Sequence, residues 1–106
     1  MTQRTNMATT LFEVGFQAGL DADEAPDAFD MSRYKQHYVL GFVVGRSIVE
    51  SGQRASRMAG AAMAGELGAR YSLPLDLLLV ELEFSLEQKE KVRSSYEKIT
   101  EGAKNG

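Results

Sequence analysis

The residue types that carry chemistry are few in this chain and widely spaced. His37 is the single histidine, and there is no cysteine. A general base needs an orienting carboxylate and a nucleophile beside it, and a zinc site needs several nitrogen or sulfur ligands. The sequence around His37 supplies neither pattern, so no catalytic residue, no metal ligand and no cofactor is expected. The acidic run at 21–30, DADEAPDAFD, has the oxygen-rich look of a calcium loop. Counted from Asp21, its fifth, sixth and twelfth positions are Ala25, Pro26 and Ser32. An EF-hand requires an oxygen ligand, a glycine and a glutamate there, and the match fails. No glycine run leads from a strand into a helix, so a phosphate cradle of the P-loop or Rossmann kind is excluded.

One further constellation could do chemistry. Arg33, Lys35, Arg46, Arg54, Arg57 and Arg70 fall in the middle third, interleaved with Tyr34, Tyr38 and Tyr71. These types neutralise phosphates and stack on bases. Residues 31–72 carry +4, but residues 1–30 carry −5 and residues 73–106 carry −2, for a total of −3. A sequence pI near 5.1 argues against nucleic acid as the partner. Tyr34, Lys35, His37, Tyr38, Arg46, Arg54 and Arg57 therefore stand as an alternative nucleic-acid or ligand site. In its small-ligand form, Tyr34, His37, Tyr38 and Arg46 would line a pocket between subunits.

The strongest internal signal is a repeat. FEVGFQAG at 12–19 returns as YVLGFVVG at 38–45, both reading aromatic-x-x-Gly-Phe-x-x-Gly, offset by 26 positions. Helix-interior glycine costs about 1 kcal/mol relative to alanine. Gly41, Gly45, Gly60, Gly65 and Gly68 must therefore be offset, and the simplest means is close backbone approach of packed helices.

Helical periodicity runs nearly throughout and strand signals are poor. The expected fold is all-α, a small single-domain bundle of about five helices around a central apolar one. The first helix covers about 8–20, opened by Thr9 or Thr10, and the acidic run follows as a loop. The second opens at Ser32 and closes at Gly52 as a left-handed residue. Its core is apolar on most sides, which places it centrally. The third, about 54–71, has Ala55, Met58, Ala62, Gly65 and Ala69 on one face. Ser72 and Pro74 open the fourth. SLEQ at 85–88 is a capping box for a fifth, about 86–101, with Val92, Tyr96, Ile99 and Ala103 as a narrow stripe. Residues 1–7 are expected to be disordered and residues 102–106 to fray.

The run LPLDLLLVELEF at 73–84 is richer in apolar residues than a surface helix needs. In so short a chain, part of it is expected to be an exposed patch awaiting a partner. Leu75, Leu78, Leu79, Leu82 and Tyr96 are the expected partner-binding residues. No apolar stretch is long enough for a membrane span or a signal peptide, so no membrane association is expected and a cytoplasmic setting is.

Two resemblances follow from these residues. Gly15-Phe16-Gln17-Ala18-Gly19-Leu20, Tyr34 and Gly41-Phe42 resemble the Gly-aromatic-Gln-Ala-Gly and Gly-aromatic pattern of ribosome modulation factor, which implies ribosome binding. Gly19-Leu20, Tyr34-Lys35, Gly41-Phe42 with Gly45, Ser51-Gly52, Ala64-Gly65, Arg70-Tyr71 and Leu73 are similar to the uncharacterised enterobacterial YghW-like proteins over roughly residues 15–82. That likeness implies a bacterial or mobile-element origin and no particular activity. The expected function is a non-catalytic interaction module, homo-oligomeric, that docks on a protein partner as a regulator or inhibitor, phage- or plasmid-borne in one version. RNA or ribosome binding and small-ligand sequestration are the alternatives.

Overall fold

The computed structural model describes residues 7–82 and 84–105, which form α-helices joined by short connections, with no strand among these residues. In order they are α1 (Met7–Asp21), α2 (Ala28–Met31), α3 (Gln36–Gln53), α4 (Arg57–Arg70), α5 (Leu75–Glu81) and α6 (Leu86–Asn105). The expected all-α bundle forms, with one helix more than expected. Asp27 accepts from the Asp30 amide at 2.8 Å and starts α2 inside the segment read as loop. The stretch expected to be disordered lies, apart from Met7, outside the described residues, as does Gly106; α6 carries through residues 102–105.

Several helix ends depart from expectation. Thr9 and Thr10 lie within α1. Ser32 ends α2, its hydroxyl donating to the Phe29 carbonyl at 2.6 Å, and α3 begins at Gln36 without a side-chain cap. Gly52 stays inside α3, and the left-handed residue is Ala55 at φ 51°. The Ser56 amide bonds the Ser51 carbonyl at 2.9 Å and the Ala55 amide bonds the Gly52 carbonyl at 3.3 Å. That pair of bonds is a Schellman closure. Ala55 is thus not part of the next helix, which Ser56 caps by accepting from the Ala59 amide. The closure recurs at the end of α4, where Ser72 at φ 60° is the left-handed residue and not the cap of α5. There Leu73 donates to the Gly68 carbonyl at 2.8 Å. The capping box forms as read: Ser85 donates its amide to Gln88 Oε1 at 3.0 Å, and Gln88 donates back to Ser85 Oγ at 3.3 Å.

α3 is the central helix, packed between α1 and α4, and α4 in turn packs on α6. Leu40 and Val43 are fully buried, with Val39 and Phe42 nearly so; Met31, Ala61, Ala64, Leu67, Leu78 and Val92 from the other helices, with Leu73 and Leu82 from the connections, complete the core. On α4 the buried face is Gly60, Ala61, Ala64, Gly65, Leu67 and Gly68. Met58, placed by periodicity on one face with Ala62 and Gly65, is 37% exposed.

The glycine repeat explains the α1–α3 contact. A Cβ added at Gly15 would overlap the carbonyl oxygen of Tyr38, and one at Gly41 would overlap that of Phe12. Gly19 stands the same way against Phe42, and Gly45 against Phe16. Each glycine meets the carbonyl three residues before the matching glycine of the other copy. The repeat therefore packs against itself, and the contacts exchange when the two copies are exchanged. Positions climb together along both helices, so α1 and α3 run parallel, and residues 22–35 carry the chain back. The remaining notches receive other partners: Ser51 at Gly60, the Val92 and Tyr96 backbone at Gly65, and the Leu78 side chain at Gly68.

Substitutions at glycines should split by sign. Gly41→Ala and Gly45→Leu force two backbones apart and should cost about 1–3 kcal/mol or more in thermal or denaturant melts. Gly52 has nothing within 4 Å of an added Cβ, so Gly52→Ala should stabilise by up to about 1 kcal/mol. Ala55→Gly should also stabilise, by roughly 0.5–1 kcal/mol, because it relieves a left-handed alanine. A Gly45→Leu protein that melted like the parent would refute the notch.

Candidate functional site

The residues read from sequence as a ligand or nucleic-acid site are not brought together. Lys35 precedes α3 and Arg54 follows it, which separates them by roughly 28 Å along the helix axis. Tyr34 and Tyr38 stack with ring centroids 4.4 Å apart, and burial, then the neighbouring Tyr34, raise the Tyr38 phenol above its ordinary value. His37 faces elsewhere, into a cleft with Thr9, Phe12, Glu13 and Glu81. Arg54 is paired with Glu50 at 2.5 Å, the one ion pair among the described residues.

Arg46, expected to line a pocket, is 6% exposed and has a structural task. Its Nη1 donates to the Ala22 carbonyl at 2.6 Å, just past the end of α1. α1 has no basic residue in its own last turn, so α3 supplies the cation that its carbonyl end favours. The Nε has no hydrogen-bond partner among the described residues. Leaving such a group unpaired costs free energy. From the other side, the Tyr71 hydroxyl donates to the Pro26 carbonyl at 2.5 Å. Residues of the basic middle thus clamp the acidic run at Ala22 and at Pro26. Burial raises the Tyr71 phenol above its ordinary value of 10.0; Arg70 opposes this, Asp27 adds to it and Arg46 opposes it. A second cleft, lined in part by Met31, Tyr34, Gln36, Arg70 and Tyr71, lies beside this clamp.

The expected partner patch is largely internal. Leu78 and Leu82 are 0% and 3% exposed and belong to the core, Leu78 filling the notch at Gly68. Leu75 and Leu79 are half-buried. The Tyr96 hydroxyl donates to the Leu73 carbonyl at 2.6 Å, so α6 docks on its own chain. A seven-residue helix has room to bury one stripe, and the sequence could not say which leucines form it.

What remains open is a groove along α3. Its central cavity, about 400 Å³, is walled by Phe12, Val44, Ile48, Leu82 and Phe84, with Ser47 and Glu81 beside them. It shares Phe12 and Glu81 with the cleft holding Glu13 and His37. At its other end it shares Ser47, Ile48 and Phe84 with a cleft bounded by Ser51, Arg57 and Gln88. From His37 to Ser51 the groove spans roughly 21 Å of helix. Its middle is mostly apolar, with Ser47 and Glu81 at the edge, and both ends carry charge. Ile48 is 49% exposed on the wall. Among the described residues no group of three or more His, Asp and Glu could hold a metal ion, and no helix is long and apolar enough to cross a membrane.

A family model described as a protein of unknown function, DUF2623, matches residues 7–100. No curated protein and no solved structure matches significantly.

The loop clamp makes a pH prediction. The folded Tyr71 pKa lies above the unfolded value, so its stabilisation is complete below pH 10 and is lost as pH rises through the folded pKa. Tyr71→Phe should cost about 0.5–1.5 kcal/mol at neutral pH. Denaturant melts of the two proteins should converge in alkali; a constant difference from pH 7 to 11 would show that the hydroxyl is not the cause.

Proposed function

We propose a function for this chain, which belongs to the DUF2623 family of proteins of unknown function: it is a non-catalytic helical interaction module that docks on a protein partner through the groove along α3. The observation that carries this reading is the character of the groove. Ile48 and Phe84 stand on its wall, and its polar groups are strung along its length from Glu13 and His37 past Glu81 and Ser47 to Arg57 instead of converging at one point. Catalytic and small-molecule sites gather polar groups around an enclosed apolar cavity. A long open apolar furrow with charged ends suits the apolar face of an amphipathic helix or a matching protein surface. Buried Arg46, paired Arg54 and the scatter of the other basic residues, with Arg33 and Lys35 ahead of α3 and Arg57 and Arg70 at the two ends of α4, give the RNA and small-ligand readings less support. The likeness to the YghW-like enterobacterial proteins supports a bacterial or mobile-element setting, in which a small cytoplasmic regulator or inhibitor works by occupying a partner's surface.

Photo-crosslinking in cells tests this. A photoreactive phenylalanine at Ile48 should give discrete protein adducts. One at Phe29, which is 79% exposed but outside the groove, should give few. Equal labelling at both positions, or none at Ile48, would remove the groove from consideration.

A further inference from the structure

We propose that the occupant of the groove is a second copy of this chain, laid antiparallel across a twofold axis near Val44 and Ser47. The proposal rests on the docking reading and names the partner of that same groove. Its basis is the distribution of charge. One end carries Glu13 and Glu81, both exposed, and the other carries exposed Arg57. None of the three has an ion-pair partner among the described residues. The groove's midpoint lies at Val44, in the wall of the central cavity.

A twofold axis through that midpoint, perpendicular to α3, carries each end onto the other. Glu13 and Glu81 of one copy then face the partner's Arg57, and the same contact forms again at the far end. A parallel arrangement would set carboxylates against carboxylates and arginine against arginine, which disfavours it. The face is therefore complementary to itself in one orientation only. Between the charged ends, half-exposed Ile48 lies one turn from Val44. Across the axis it is placed to enter the partner's central cavity between Phe12 and Phe84, while the partner's Ile48 enters its own. Apolar contact would supply the adhesion, and the charges would set orientation and register.

The test uses the full chain. Sedimentation equilibrium from micromolar to submillimolar concentration should show a monomer of 11.7 kDa passing to a species of twice that mass. Arg57→Glu should weaken the dimer about tenfold or more, as should Glu13→Arg with Glu81→Arg. Arg57 opens α4, where a glutamate suits the helix end, so the variant should keep its melting temperature. Combining all three changes in one chain reverses both ends and should restore the dimer. Mixing the Arg57→Glu protein with the Glu13→Arg, Glu81→Arg protein should give a heterodimer. A parent that stays monomeric, or a dimer indifferent to these reversals, overturns the proposal. A monomer that still forms Ile48 adducts with another protein would end self-pairing and leave the docking reading in place; a monomer without adducts would end both.

Discussion

Four glycines hold α1 and α3 at a separation at which an added methyl group would strike a main-chain carbonyl, and much of the architecture follows from that contact. The pair is reciprocal, so a single eight-residue pattern, written twice, specifies both surfaces. Because the contact lies between parallel helices, the chain must return between them, and residues 22–35 do so. That return is neither long nor apolar, and it has little burial of its own. It is held by α2, by Arg46 on the carbonyl of Ala22 and by Tyr71 on the carbonyl of Pro26. The close contact makes the clamp necessary and also brings Arg46, just past the middle of α3, within reach of the end of α1.

Close backbone packing has a second consequence. Large side chains cannot enter a seam in which glycine meets backbone, so the aromatic residues of the repeat lie to its flanks. Phe12 and Phe16 stack with centroids 6.3 Å apart, and Phe12 forms part of the groove wall. On α4 the same economy of side chain lets Leu78 of α5 fill the space at Gly68 and lets α6 lie against Gly65. The core is accordingly built from small residues with a few large ones inserted into notches, and its apolar surplus appears as the α3 groove, not as the expected leucine patch.

Features decided within a few residues were legible in advance. The all-α class, the centrality of the second long helix, the capping box at Ser85 and Gln88 and the notch role of Gly41 and Gly45 depend on periodicity and local hydrogen bonds. The candidate site was legible only in part. The sequence marked the 73–84 run as apolar excess, but Leu78 and Leu82 went into the core, and the groove drew Phe12, Ile48 and Phe84 from three separated segments.

The sequence by itself determined that this chain is helical and that its repeated glycines must meet other backbones, because glycine in a helix interior is otherwise a net cost. Tertiary structure decided which backbones those were. It also decided that Ala55 and Ser72, not Gly52, take the left-handed turns, because α3 and α4 run on to close their last-turn carbonyls at those residues. Only the fold turned Arg46 from a candidate binding residue into the clamp on Ala22. A guanidinium reads the same in a sequence whether it faces solvent or a helix end 24 residues away, and burial separates the two.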